Sequence, residues 1–361
     1  MTTTSERPSA TPAREVSKRV SQSVFDGSRL RVVLLVDVND GAQHQFLEAY
    51  EQLCNQVASV PGHVSDQLCQ SIENPSQWLI TSEWESAPPF LTWVNSEEHV
   101  RMVEPLHSCV RDTRSLRFHV VRETGGAAPQ AEPGQRRLQA HPRIGDGVIR
   151  HALTFTVKPG SEKKVAEILS DYASPEARVD DTTRLCRTSL FMHGNRVVRA
   201  IEVRGDLLAA LRHVARQPEV RAVEEAINPY LEQDRDLDDQ ESARMFFTRA
   251  ALPAVHHVSA GDHQEGLRQA LYYAARPGRG MRLAELLSQA DSEYADDPAS
   301  PVLRSTVFQR DDVVVRLVDV RPEHGADAVP LPARAAAEVR ELLDAEAARM
   351  DLITDRRSPD A

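Results

Sequence analysis

Cysteine is scarce. Cys54, Cys69, Cys109 and Cys186 are the only four in 361 residues, and they stand far apart, in no CxxC pair and with no histidine at zinc spacing. That excludes a disulfide framework and a zinc module, and leaves reduced, mostly buried thiols. Lysine is scarcer for its class, with four of 43 basic residues (Lys18, Lys158, Lys163, Lys164), which beside abundant alanine points to a GC-rich coding sequence. No apolar run approaches the ~18 to 20 residues that cross a bilayer. Met1 to Asp26 is polar and offers no hydrophobic segment for secretion, so a cytoplasmic protein with no membrane partner is expected. The formal net charge of -11 argues against nucleic acid, whose phosphates demand a concentrated basic surface. Also missing are a G-x-G-x-x-G after a strand, a P-loop, a G-x-S-x-G elbow, an H-E-x-x-H helix and any clustered His and carboxylate set. Nicotinamide, nucleotide, serine-hydrolase and metal chemistry therefore lack support, and no cofactor is expected.

What is present is a repetition. Arg184 to Arg204 (RLCRTSLFMHGNRVVRAIEVR) returns as Arg304 to Arg321 (RSTVFQRDDVVVRLVDVR). Arg187 falls on Arg304, Phe191 on Phe308, Val198 on Val315, Arg199 on Arg316 and Arg204 on Arg321. A second match, Val148 to Gly160 against Glu265 to Gly278, keeps the same order, so the second and third parts of the chain are copies of one unit. The reading that follows is a disordered leader over 1–27, a first unit over 28–123, a linker over 124–146, a second unit over 147–252, a linker over 253–264 and a third unit over 265–361.

Each unit reads as βαββαβ. In the first, Leu30–Val38 is a strand apolar on both faces, and Phe46, Leu47, Tyr50, Leu53, Cys54 and Val57 recur at helical spacing until Pro61-Gly62. Strands about His63–Ile72 and Trp78–Trp84, a helical region from Pro88 to about Cys109 and a strand Ser115–Val121 complete it. In the second unit Arg244–Ala250 is taken as the last strand. In the third, Ala333–Met350 reads as one helix and no final strand is evident. The order predicts an α+β fold of three tandem ferredoxin-like units, each with one open sheet face. Two open faces pack together into a barrel-like sandwich. The simplest arrangement pairs the second and third units within the chain and the first with its counterpart in a second copy, giving a homodimer.

The first unit resembles the antibiotic biosynthesis monooxygenase family of dimeric α+β barrels, on the strength of Trp78-Leu-Ile-Thr-Ser-Glu-Trp-Glu-Ser86, the helix with Trp93, and Ser96-Glu-Glu-His99. The second and third units resemble the SchA/CurD-like proteins of actinomycete spore-pigment and aromatic polyketide clusters, on Arg150-His-Ala-Leu-Thr-Phe, Lys158-Pro-Gly160 and Asn195 to Arg204. The resemblance implies aromatic polyketide tailoring by a cofactor-independent monooxygenase that oxidises a polycyclic phenol or anthrone with molecular oxygen. A polyketide cyclase or aromatase, and a non-catalytic polyketide-binding scaffold working with other pathway enzymes, are the alternatives. Oxygen chemistry without a cofactor needs a dry pocket, a base and donors aimed at developing negative charge. The candidate catalytic residues are His99, at the family's S-x-x-H position, Trp84 and His63. Trp93, His119, His151 and Phe155 are candidates for binding substrate. His151 shares a strand face with Ile149, Leu153, Phe155 and Val157, and the third unit has Gln269 in its place.

Overall fold

A computed structural model of the chain describes residues 20–121, 145–171, 174–259, 266–297, 299–324 and 333–358. A short strand, β1 (Val20–Ser23), precedes the first unit, which runs β2 (Leu30–Val38), α1 (Gln43–Val57), β3 (His63–Gln70), β4 (Gln77–Trp84), α2 (Ala87–Val94), α3 (Glu97–Ser108) and β5 (Val110–His119). Its four strands lie in the order β3-β4-β2-β5, all antiparallel, which is the ferredoxin-like arrangement. Alternation along β2 buries Val32 and Val36 on the helix side and leaves Arg31 and Leu35 exposed on the other. α1 stops at Val57, and Gly62, just before β3, has a φ of +84°; a Cβ there would stand 2.7 Å from Pro89, so only glycine lets α2 pack this close.

The rest of the chain uses the same order twice. First come β6 (Val148–Thr156), α4 (Glu162–Ser170), β7 (Arg184–His193), β8 (Arg196–Arg204), α5 (Leu207–Ala215), α6 (Pro218–Ile227), α7 (Gln240–Ala250) and β9 (Ala251–Ser259). Then follow β10 (Leu267–Ala274), α8 (Gly280–Asp296), β11 (Val302–Arg310), β12 (Val313–Val320), α9 (Ala333–Leu342) and β13 (Ala348–Arg357). These strands pair in the order β9-β11-β12-β10-β13-β7-β8-β6, and β6 meets β9 again at Ala251, Leu252 and Pro253, so the ring closes. Each half lends its last strand to the other: β9 lies along β11 and β13 along β7.

Side chains fill the ring. One buried cluster, including Ala152, Phe191, Leu252, Phe308, Leu317 and Met350, draws on all eight strands. Beyond it lies a cluster of charge. Arg268 donates to Asp319 at 2.7 Å and to Glu202 at 2.7 Å, while Arg187 reaches Asp319 at 3.0 Å and also grips Asp355. Burial raises the Asp319 carboxyl, but Arg268, Arg187 and Arg304 outweigh it and hold it well below the carboxylate range.

Several expectations change. Arg244–Ala250 is helical, because Asp239 caps Gln240–Ala250 through the Glu241 amide and Phe246 and Ala250, four apart, bury together. The strand that follows, β9, occupies residues first read as the start of a linker. Ala333–Met350 splits into α9 and the start of β13, whose charged residues Asp355 and Arg356 hide a strand pattern. The helical region of the first unit breaks at Asn95-Ser96, and its last strand starts at Val110 rather than Ser115. Within the expected leader, Val20–Ser23 pairs with His256–Ser259. The rest of the leader before Val20 and almost all of the linker over 124–146 lie outside the described residues.

Candidate functional site

A cavity of about 920 Å³ opens where the first unit meets the helices of the second. Part of its wall is the helix-side face of the smaller sheet, where Val32, Leu34 and Val36 of β2 stand opposite Arg117, Ser115 and Thr113 of β5. A second wall comes from the tail, with His151 and Leu153 of β6 and side chains of α5, α6 and α7. Most of the lining is apolar, so a bound ligand would be drawn from water chiefly by burial of its own apolar surface.

The reactive side chains of the first unit are placed by the break between α2 and α3. Ser96 Oγ donates to the Trp93 carbonyl at 2.7 Å and accepts the His99 amide at 3.1 Å, so the cap that starts α3 also sets the His99 side chain against Trp93. Their ring centroids are 4.4 Å apart in an edge-on contact. Trp93 stacks on Trp84 at 5.5 Å, and Trp84 in turn meets Phe90 and His63. The row of rings holds the Trp93 indole rigid on the cavity side.

Three histidines line the cavity and all are held neutral. Burial, with smaller contributions from the charges of His107, Arg117 and Arg310, lowers His99 to about 4. Burial and then Arg244 lower His107 to about 4. His151 falls to about 4 by burial and the charge of Arg117. Arg117 lines the same cavity as His99 and His151, and its charge acts on both. Arg117, exposed on β5 and part of the cavity lining, places its guanidinium over the Phe90 ring at 5.3 Å. A neutral imidazole can take a proton and a guanidinium can receive the negative charge that the proton leaves behind.

Of the residues singled out by sequence, His99, Trp93 and His151 come together on this cavity. Trp84 does not reach it: the side chain has no accessible surface and its indole donates to Ser82 Oγ at 3.0 Å, so Trp84 supports Trp93 instead of touching a ligand. His63 turns to Asp66 at 2.8 Å and to the edge of Trp84, off the cavity. His119 pairs with Ser28 Oγ at 2.8 Å. Phe155 belongs to the core with Phe246 and borders only a second, polar cavity of about 190 Å³. Sequence reasoning missed Arg117, His107, Arg212 and Arg244. For Arg117 a signal existed, since it shares strand parity with Thr113 and Ser115 and so faces the helices. The others sit on helices, and only the packing of the two units brings them to the cavity wall. Among the described residues, no group of three His, Cys, Asp or Glu could hold a metal ion, and no helix is long and apolar enough to cross a membrane.

Comparison with known proteins matches the two parts of the chain separately. The antibiotic biosynthesis monooxygenase family matches residues 29–105, and the SchA/CurD-like domain matches residues 148–260, a span that includes β9. A 42.8 kDa protein of the whiE locus of Streptomyces coelicolor is 63% identical over 92% of this chain and 84% of its own length. Polyketide synthase CurD of Streptomyces cyaneus is 60% identical over 95% of this chain and 98% of its own. Among solved structures, SnoaB, a cofactor-independent oxygenase from Streptomyces nogalater, aligns with 28% of this chain and 99% of its own at 14% identity and a TM-score of 0.25. On the extent of these sequence matches, the chain belongs to the family of SchA- and CurD-like proteins, with an antibiotic biosynthesis monooxygenase domain in its N-terminal part.

Proposed function

We propose that the chain is a cofactor-independent monooxygenase of aromatic polyketide biosynthesis, oxidising a polycyclic phenol or anthrone toward a quinone in the cavity of the first unit. The observation that carries this reading is the juxtaposition of neutral His99, the Trp93 indole and the Arg117 guanidinium on one largely apolar cavity. The monooxygenase domain and the relative named as a polyketide synthase support the pathway.

For an anthrone, the steps balance as follows. His99 takes a proton from the reacting CH2, and Arg117 stabilises the negative charge delocalised onto the ring oxygen. The carbanion gives one electron to molecular oxygen, and the radical pair joins to form a C–O bond. The peroxide takes up the proton held by His99. Loss of the second C–H proton together with hydroxide then breaks the O–O bond, leaving a carbonyl and water. The protein's part is to exclude water, hold the ring against Trp93 and pair the base with a fixed cation, so that charge forms where a partner already waits.

Oxygen consumption by the metal-free protein with a model anthrone tests the reading. Uptake should fall about 100-fold or more in His99→Ala and in Arg117→Gln, in the range usual for loss of a general base or an anion-stabilising group. Full uptake in both variants sinks the site. Turnover without oxygen moves the assignment to a cyclase.

We further read the chain as three tandem ferredoxin-like units, with the first completed by a second copy. Its sheet face away from the helices carries Leu35 and Phe118, which stay exposed among the described residues, whereas the corresponding faces of the tail enclose one another. A homodimer through this face gives every unit the same environment.

A further inference from the structure

The charges around the cavity are one-sided. Arg117, Arg199, Arg212, Arg244 and Arg310 line it against two acids, Asp66 and Glu224. Glu224 is already taken by Arg199 and by Arg235 at 2.7 Å, and Arg310 is held by the Thr248 and Ala251 carbonyls and by Asp311. Arg117, Arg212 and Arg244 have no acid and no hydrogen-bond partner among the described residues. All three keep exposed surface in a chain whose net charge is -11, whereas the buried side chains of Arg187, Arg268 and Arg316 are each matched to carboxylates. Two of the three unmatched cations, Arg212 on α5 and Arg244 on α7, come from the tail and stand beside Leu208, Leu211 and Phe247, which supply an apolar surface on the same elements.

Resting on the reading of the cavity as an aromatic polyketide site, we propose that the tail supplies the recognition half of that site: Arg212 and Arg244 bind a carboxylate carried by the aromatic substrate. A guanidinium presents a planar fork of donors that matches a carboxylate, and the apolar surface beside it suits a ring system rather than a small free anion. The substrate is then an aromatic polyketide that keeps its terminal acid, so the reaction that precedes this one is a ring closure or release that leaves a free carboxylate. Because the two arginines belong to the second unit, the first unit alone contains only part of the site.

Calorimetric titration of the full chain under nitrogen, with anthraquinone-2-carboxylate and the isosteric anthraquinone-2-carboxamide, tests this. The carboxylate should bind about tenfold or more tightly than the amide at low ionic strength, as a charge-assisted hydrogen bond allows, and added salt should shrink the ratio. Arg212→Gln and Arg244→Gln together should bring the ratio close to unity, the carboxylate losing about tenfold more affinity than the amide. Equal affinities in the parent protein, a ratio unmoved by the two substitutions, or no binding of either compound overturns the proposal. A carboxylate preference in a protein that takes up no oxygen leaves it standing and removes the oxygenase reading instead.

Discussion

At the scale of single residues, the cavity histidines tie stability to pH. His99, His107 and His151 all drop from 6.5 to about 4 on folding. Between those values the unfolded chain binds protons that the folded chain refuses. Their contribution is therefore complete above about pH 6.5 and is lost as pH falls toward 4, with a limiting slope of at most about 1.4 kcal/mol per pH unit for each of these partly buried imidazoles. The carboxylates held down by arginine, Asp319 foremost, act only at lower pH, so the two windows separate. Urea midpoints measured from pH 7 to 4.5 should decline, and His151→Gln should flatten part of that decline. A midpoint constant across the window would mean that these imidazoles are not neutral in the folded protein. Sequence exposed His151 as a polar residue on an apolar strand face. For Arg117 strand parity with Thr113 and Ser115 was the one signal, and Arg111 shares that parity; the register with β2 singles out Arg117, opposite buried Val32.

Among the elements, the hairpins were legible and the closing strands were not. β7 with β8 and β11 with β12 stand out because the chain repeats them. β9 and β13 escape because each carries polar groups inward: His257 bonds to Thr306 Oγ1 at 2.9 Å, Asp355 binds Arg187, and Pro253 interrupts the first half of β9. Period and hydropathy fail where a wall strand contributes to a buried charge cluster. β1 was hidden by its setting in a polar segment. It pairs with His256–Ser259, while β6 pairs with Ala251–Pro253 on the same edge of β9, so β1 covers the stretch that β6 leaves open. Removing residues 1–26 should raise amide exchange at His256–Ser259 by tenfold or more, the effect of about 1.4 kcal/mol of lost local stability, and leave Val313–Val320 unchanged. Unaltered exchange in β9 would make β1 a passive attachment.

For the whole molecule, the decisive contrast among the described residues is between sheet faces that are covered and one that is not. Leu35 and Phe118, 44% and 51% exposed, lie on the open face of the first unit and are large enough to anchor a contact between copies. Light scattering coupled to gel filtration should give a dimer for the parent chain and a monomer for Leu35→Glu combined with Phe118→Glu, with the far-ultraviolet spectrum unchanged. A monomeric parent protein would remove the dimer.

Closure of the tail ring within one chain has a different consequence. In an assembly of identical subunits every substitution is made everywhere at once, whereas two copies joined in one polypeptide are free to differ. The second unit keeps His151 on the cavity and balances Arg199 with Glu224 from α6, while the third has buried Gln269 and balances Arg316 with Asp291 from α8. One copy has thus become a solid support and the other a ligand-facing wall, a division of labour that only broken symmetry permits.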